Sequence, residues 1–360
     1  MSPDVKIVAC VACILALSNS TCADDTASVT IAEPLEEINW VDKDVWLKER
    51  GGTRVGLFGI RAESRLLETW NWKAGTLEKG PSAKVALLDT VVLPDGRYIA
   101  CRAAADRYSD WPLVIGSISP CEEIKKFEIP SGWRVASCAV SVSRNGKFGL
   151  VVIESKSGKP RCRTGVIDIA SLKLRWLGPE VAARGGVQIA QTAISDDGRY
   201  AAVTPWDEGA VVIDLVAEKV LWNQTPKDSW RLSYVEFSRD GSRVYFGDKM
   251  KSSVFEIDTA GGKVLNQWLV KDEGDPGFGS GVWCLALSPE DKWVAVAAQK
   301  SVYLIDIDSG AKAATLPVGS TVLSFSPDGS RLASVAGGKI KIWEVAPKPQ
   351  NQKDANESAE

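Results

Sequence analysis

The run TVLSFSPDGSRLASVAGGKIKIWEV, residues 321–345, decides how the whole chain is read. An alternating segment (322–325) enters the polar turn Ser326-Pro327-Asp328-Gly329. A second apolar segment (332–335) enters the turn Gly337-Gly338, and a third ends at Trp343. Period-two alternation broken by turn-forming residues predicts three consecutive antiparallel strands. Asp-Gly suits such a turn because one position needs a positive φ, which glycine adopts without a Cβ clash.

The same turn recurs at Pro94-Asp95-Gly96, Arg144-Asn145-Gly146, Asp196-Asp197-Gly198, Arg239-Asp240-Gly241 and Pro289-Glu290-Asp291. Asp291 is the one departure in the glycine slot. A second signature follows most of these turns: Val166-Ile167-Asp168, Val212-Ile213-Asp214, Glu256-Ile257-Asp258, Leu304-Ile305-Asp306 and finally Lys341-Ile342-Trp343. Each Asp is expected to accept backbone N–H bonds in the turn it opens, not to act as a catalyst.

The recurrence of roughly 40 to 52 residues is the length of one four-stranded propeller blade. A degenerate first unit fits Val45 to Leu47, a turn at 49–52, and strands at 55–59 and 66–72. The expected fold class is therefore all-β: a single-domain β-propeller of seven four-stranded blades spanning residues 24–346. The last unit stops after its third strand. Residues 28–32, with Val29 and Ile31 on one face, are the expected fourth strand, which would cover the open edge and close the ring. Residues 347–360, rich in Pro, Asn, Lys and Glu, read as a polar tail.

Composition excludes several functions. Across 360 residues, 45% are hydrophobic and the net charge is −3 with both signs intermixed, so nothing resembles a footprint for a phosphate backbone, and no nucleic acid is expected. The chain has no histidine. Ser/His/Asp hydrolysis, Cys/His proteolysis and imidazole metal sites are thereby ruled out, leaving carboxylate, Lys, Tyr or Cys chemistry.

Residues 7–17 form an apolar run too short to span a membrane but suited to a secretory signal, with Lys6 before it and Thr21-Cys22-Ala23 before a cut at Asp24. Residues 1–23 are thus expected to be a signal peptide, and the protein periplasmic or extracellular. A lipid-anchored form through Cys22 is the weaker alternative. After the cut Cys101, Cys121, Cys138, Cys162 and Cys284 remain, an odd number. One or two disulfides could form among the first four, and Cys284 reads as a buried thiol. No CxxC spacing suggests a redox or zinc site.

Of fourteen tryptophans, Trp72, Trp176, Trp222, Trp268 and Trp343 fall in strands or strand ends and are expected to pack between blades. Trp111, Trp133, Trp206, Trp230 and Trp283 fall in connections. In a propeller, the loops joining the second to the third strand emerge on the same end as those joining one blade to the next. All five tryptophans belong to that end. With Arg107, Arg134, Arg231 and Asp207 they form a candidate binding face for a protein, peptide or glycan. The competing reading folds each tryptophan inward, over the central channel or the adjacent blade. The acidic loop Asp272-Glu273-Gly274-Asp275 could hold a hard cation but lacks spaced ligands, and reads as a solvated turn.

The stretch from Ser326-Pro327-Asp328-Gly329 to Ile342-Trp343 resembles a WD-repeat β-propeller, a resemblance that extends over the chain after about residue 28. There is no Gly-His dipeptide and no Trp-Asp pair closes any unit, so the resemblance is at superfamily level. It implies a non-catalytic interaction platform. Asp168 with Lys173 and Trp176, and Asp214 with Lys219 and Trp222, are similar to the tryptophan-docking repeat of quinoprotein-like propellers; Gly262-Lys263 with Trp268 is a looser case. In that group the Trp packs between blades. The leading expectation is an exported, monomeric, non-catalytic scaffold without cofactor. The alternatives are a metal-assisted hydrolase or lactonase-like propeller with calcium in its channel, and an envelope-assembly propeller.

Overall fold

The computed structural model describes residues 7–9, 36–39, 45–48, 56–59, 65–71, 76–83, 87–93, 97–102, 112–117, 122–159, 161–182, 189–205, 209–224, 232–248, 250–271, 281–320, 322–326, 329–336 and 339–345. These residues are strands and turns, with no helix among them. The turn 94–96, the acidic loop 272–275, residues 28–32 and the tail 347–360 lie outside them, as does the 1–23 segment except for Ile7–Ala9.

Six antiparallel four-stranded sheets follow the repeats. Unit two comprises Leu87–Val92, Arg97–Arg102, Leu113–Ser117 and Glu122–Phe127. Unit three comprises Trp133–Val142, Phe148–Ser155, Arg161–Asp168 and Lys173–Ala182; unit four Ile189–Ile194, Tyr200–Pro205, Ala210–Asp214 and Lys219–Gln224. Unit five comprises Leu232–Phe237, Arg243–Asp248, Ser253–Asp258 and Val264–Leu269; unit six Cys284–Leu287, Trp293–Ala297, Val302–Asp306 and Lys312–Leu316. Unit seven has Val322–Phe325, Arg331–Ala336 and Lys339–Glu344. Its fourth strand is Glu36–Asn39, which pairs Glu36 with Ile342 and Asn39 with Lys339. The segment at that edge is thus downstream of residues 28–32.

The first unit is divided. Val45–Lys48 pairs with Gly56–Gly59, and Arg65–Asn71 pairs with Thr76–Ala83, a strand the sequence reading did not assign. Ile7–Ala9, inside the apolar leader, pairs with the outer side of Arg65–Asn71. A chain cut before Asp24 would lack that pairing.

Within units two to seven, successive first strands lie against one another. Second and third strands are buried on both faces: Leu150, Val151, Val152 and Ile153 are fully covered, as are Val244, Tyr245 and Phe246. A sheet apolar on both faces cannot bury itself, so each must stack on its neighbours. Outer strands read differently; Lys219–Gln224 and Val264–Leu269 are mostly exposed.

Stacking is keyed by the turn after each third strand. The Asp that ends the strand caps the turn as expected. Asp168 accepts from Ser171 N at 2.7 Å, Asp214 from Ala217 N at 2.9 Å, Asp258 from Gly261 N at 2.6 Å and Asp306 from Ser309 N at 2.8 Å. Four residues after the Asp, the backbone turns left-handed at Leu172, Glu218, Gly262 and Gly310. Trp222 of unit four sits on the unit-five turn, its Nε1 donating to Thr259 O at 2.8 Å. A Cβ on Gly262 would lie 2.8 Å from that indole, and one on Gly310 would lie 2.9 Å from Trp268 Nε1 of unit five. Trp176 instead covers Gly165 of its own sheet. Each indole buried in this way removes roughly 150–250 Å² from water.

Two predictions follow from these contacts. A chain beginning at residue 35 should keep the amides of Lys339–Glu344 protected from exchange, whereas one beginning at residue 41 should lose that protection. Gly262→Ala should cost about 1–3 kcal/mol in urea denaturation, because it places a Cβ at φ +68 against Trp222.

Candidate functional site

The two ends of the sheet stack differ in chemistry. In units three to seven the turn between the first and second strands is built one way. A serine hydroxyl accepts the N–H of the residue that opens the next strand: Ser143 from Phe148, Ser195 from Tyr200, Ser238 from Arg243, Ser288 from Trp293 and Ser326 from Arg331, at 2.9–3.0 Å. The fourth position has positive φ at Gly146, Gly198, Gly241, Asp291 and Gly329. Aspartate is among the few residues besides glycine that tolerate this region. The turns are therefore short, rigid and nearly identical.

At the centre of that end a charged cluster joins sheets that are not neighbours. Arg144, in the unit-three turn, donates from Nη1 to Asp291 Oδ1 at 2.7 Å and to Ser288 O at 3.3 Å. Its Nη2 donates to Phe237 O at 2.8 Å. One guanidinium therefore reaches units five and six past unit four, which requires the row of sheets to curve back on itself. Asp291 uses its other oxygen to accept Arg239 N at 2.5 Å. Glu236, on the first strand of unit five, accepts Leu287 N of unit six at 2.9 Å. Between units three and four, Asn145 donates from its N and Nδ2 to Asp196 at 2.8 and 2.7 Å.

Burial governs the electrostatics here. The side chains of Arg144 and Asp291 retain 15% and 23% of their exposure. Burial opposes the charge on Arg144, but Asp291, Glu236 and Asp196 outweigh it and hold the guanidinium more firmly protonated than a free arginine. Glu236 keeps part of its surface open, yet the surrounding protein strips enough hydration to push its carboxyl up to about 7, against the pull of Arg144. A carboxyl near neutrality can move a proton. This one is engaged by a backbone amide beside an arginine already paired with Asp291, an arrangement that holds sheets together. Sequence reading did not single out Arg144, Glu236 or Asp291 as site residues. The one signal was Asp291 in a glycine slot.

At the opposite end lie Trp133 and Trp283. Trp111, Trp206, Asp207, Trp230 and Arg231 fall outside the described residues. Trp133 opens the first strand of unit three, pairs with Ser155 and packs partly against its own sheet's core. Arg161 lies over its ring at 5.9 Å and pairs with Glu180 at 2.5 Å. Arg134 is half-exposed and pairs with Glu154 at 2.6 Å. Trp283 precedes the first strand of unit six, donates its backbone N–H to Ala297 O at 2.8 Å and packs on the core of units six and seven. Trp133 and Trp283 thus occupy the same end of their sheets but rest on separate cores.

Cys162 is a buried thiol whose Sγ–H donates to Val181 O at 3.6 Å, and Cys284 is half-buried, donating to Leu285 O at 3.7 Å. The side chains of Cys101, Cys121 and Cys138 lie outside the described residues. Among the described residues, no three Cys, Asp or Glu side chains gather as metal ligands, and no helix is long and apolar enough to cross a membrane.

Comparison with known proteins agrees with this architecture. The model of the WD domain, G-beta repeat, matches residues 275–306 and 314–344, which cover most of units six and seven. An uncharacterised WD repeat-containing protein of Synechocystis sp. is 41% identical over 68 residues, 17% of this chain and 19% of that protein. The chain thus spans about a fifth of that relative's length. Both findings show a similarity to WD-repeat proteins, which the family model locates in units six and seven.

Asp291→Gly keeps the left-handed turn but strands the Arg144 guanidinium. The expected loss is about 2–3 kcal/mol in urea denaturation, with no change in the circular-dichroism spectrum of the folded state.

Proposed function

We propose that this protein is an exported, seven-bladed WD-like propeller, closed through Glu36–Asn39, that acts as a protein-binding scaffold through its loop end. The observation that carries the reading is the contrast between the two ends. One is a set of uniform serine-anchored turns drawn together by Arg144. The other has connections of unequal length, from Gly337-Gly338 to the run between Leu269 and Cys284, and the sequence reading assigns the candidate tryptophans and arginines to these connections. Variable loops on a rigid frame are where binding residues accumulate, and Trp and Arg are the side chains that contribute most at interfaces. WD repeats in related chains point to the same class of role. The apolar leader at residues 7–17 supports export.

The test is capture of partners from an extract of the source cells, with identification by mass spectrometry. Trp206→Ala, Trp230→Ala and Arg231→Ala combined should weaken capture by roughly 30-fold or more, as expected for loss of an interface centre. Asp328→Ala, at the turn end, should leave capture unchanged. Equal capture by the loop variant and the parent would overturn the assignment of the face.

A further inference from the structure

The hairpin between the second and third strands of unit three is longer than its counterparts. Phe148–Ser155 and Arg161–Asp168 have 8 residues each, against 6 and 5 in units two and four. In units three and four the second strand starts two residues after the turn glycine, and Asp168 and Asp214 both end their third strands. The extra length therefore lies at the loop end. At about 3.3 Å per residue, the hairpin projects roughly 7–10 Å past the strand ends beside it.

Its tip is fixed in place. Ser155 Oγ accepts Arg161 N at 3.1 Å and donates to Lys159 O at 3.3 Å, while Lys156 N donates to Gly132 O at 2.9 Å. The tip is thereby tied to the connection that leads into unit three, where Trp133 stands opposite Ser155. The Trp133 ring and Glu180 hold the Arg161 guanidinium from two sides, yet that side chain keeps 53% of its exposure. A guanidinium has five N–H donors, so most of those on Arg161 are left for solvent or a ligand.

Positive charge is concentrated here. Arg134, Lys156, Lys159, Arg161 and Arg163 share this end of the sheet with two carboxylates among the described residues, Glu154 and Glu180. The chain as a whole is net −3. A nucleic acid or an anionic membrane needs a broad positive face, whereas these cations are confined to one hairpin of an acidic molecule. A short segment bearing carboxylates meets the cations without bringing negative charge over the rest of the surface.

We propose, resting on the reading of the loop end as the binding face, that this hairpin docks an extended acidic segment of a partner protein. One carboxylate of the segment takes the open donors of Arg161, a second meets Lys159 at the tip, and a neighbouring apolar side chain lies on the uncovered part of the Trp133 ring. Because backbone bonds, ring and Glu180 already hold these groups, little ordering entropy is lost on docking.

Fluorescence anisotropy on the full chain tests this with a labelled peptide that alternates glutamate and tyrosine. The comparisons are the same peptide with glutamine for glutamate, a labelled single-stranded oligodeoxynucleotide, and vesicles of equimolar phosphatidylglycerol and phosphatidylcholine. The glutamate peptide should bind, more weakly as salt rises, and the glutamine peptide should not. Lys159→Glu, in an exposed turn, should weaken binding roughly tenfold or more. Arg161→Lys keeps the charge but loses the planar fork, and should weaken it roughly threefold or more. Lys263→Glu makes the same change of net charge on the outer edge of unit five and should leave binding unchanged. Absence of glutamate-peptide binding, parent-like binding by Lys159→Glu or Arg161→Lys, equal loss in Lys263→Glu, or preference for the oligonucleotide or the vesicles would each overturn the proposal. Peptide binding lost in Lys159→Glu, with partner capture unchanged by the combined Trp206, Trp230 and Arg231 variant, would uphold the hairpin and remove the wider face. The reverse pattern would remove the hairpin alone.

Discussion

The sheets of units two to seven depend on having neighbours. Second and third strands such as Phe148–Ser155 and Arg161–Asp168 are apolar on both faces, so neither face could be left in water. What makes the stacking specific is a small piece of backbone chemistry. An Asp caps the turn after the third strand, the chain turns left-handed four residues after it, and in units five and six glycine at that point leaves room for an indole. Trp222 and Trp268 fill that room from the preceding sheet, as the docking-motif resemblance implies. The first-strand turns do similar work: the Phe148 ring lies against Gly198, and Tyr200 approaches Gly241.

The C-terminal units use a different lock. In unit six Leu316, fully buried, closes the outer strand where units four and five have tryptophan. In unit seven Trp343 turns inward, its Nε1 donating to Ser334 Oγ at 2.8 Å within the same sheet. These are the units that match the WD repeat model. One chain therefore contains two ways of fixing a blade, with the change falling between units five and six.

How much was legible in the sequence depended on whether the chemistry was local. The serine-anchored turns and Asp caps are complete within a few residues, so Ser326-Pro327-Asp328-Gly329 and Asp306-Ile307-Asp308-Ser309-Gly310 could be read directly. Thr76–Ala83 was missed because Gly80-Pro81 inside it reads as a loop, and proline is admitted only at edges or irregular pairings. Its pairing with Arg65–Asn71 does shift register at Leu66/Glu68. The strand beside Lys339–Glu344 was sought by alternation, yet Glu36–Asn39 reads as polar. An outer strand has no second sheet to face and need not alternate. Of the tryptophans expected in connections, Trp133 instead opens a strand, and that Trp133 and Trp283 rest on separate cores was not legible. The Arg144 pair escaped because its partners are 147 residues apart and each already had a sufficient local role in a turn.

A row of repeats in which each sheet touches only the next behaves like a one-dimensional chain, able to fray from its ends a unit at a time. Arg144 breaks that description. By bonding unit three to units five and six it adds a coupling that skips a neighbour, so unit four cannot open fully without straining contacts it does not make. The middle of the molecule should melt as one cooperative block.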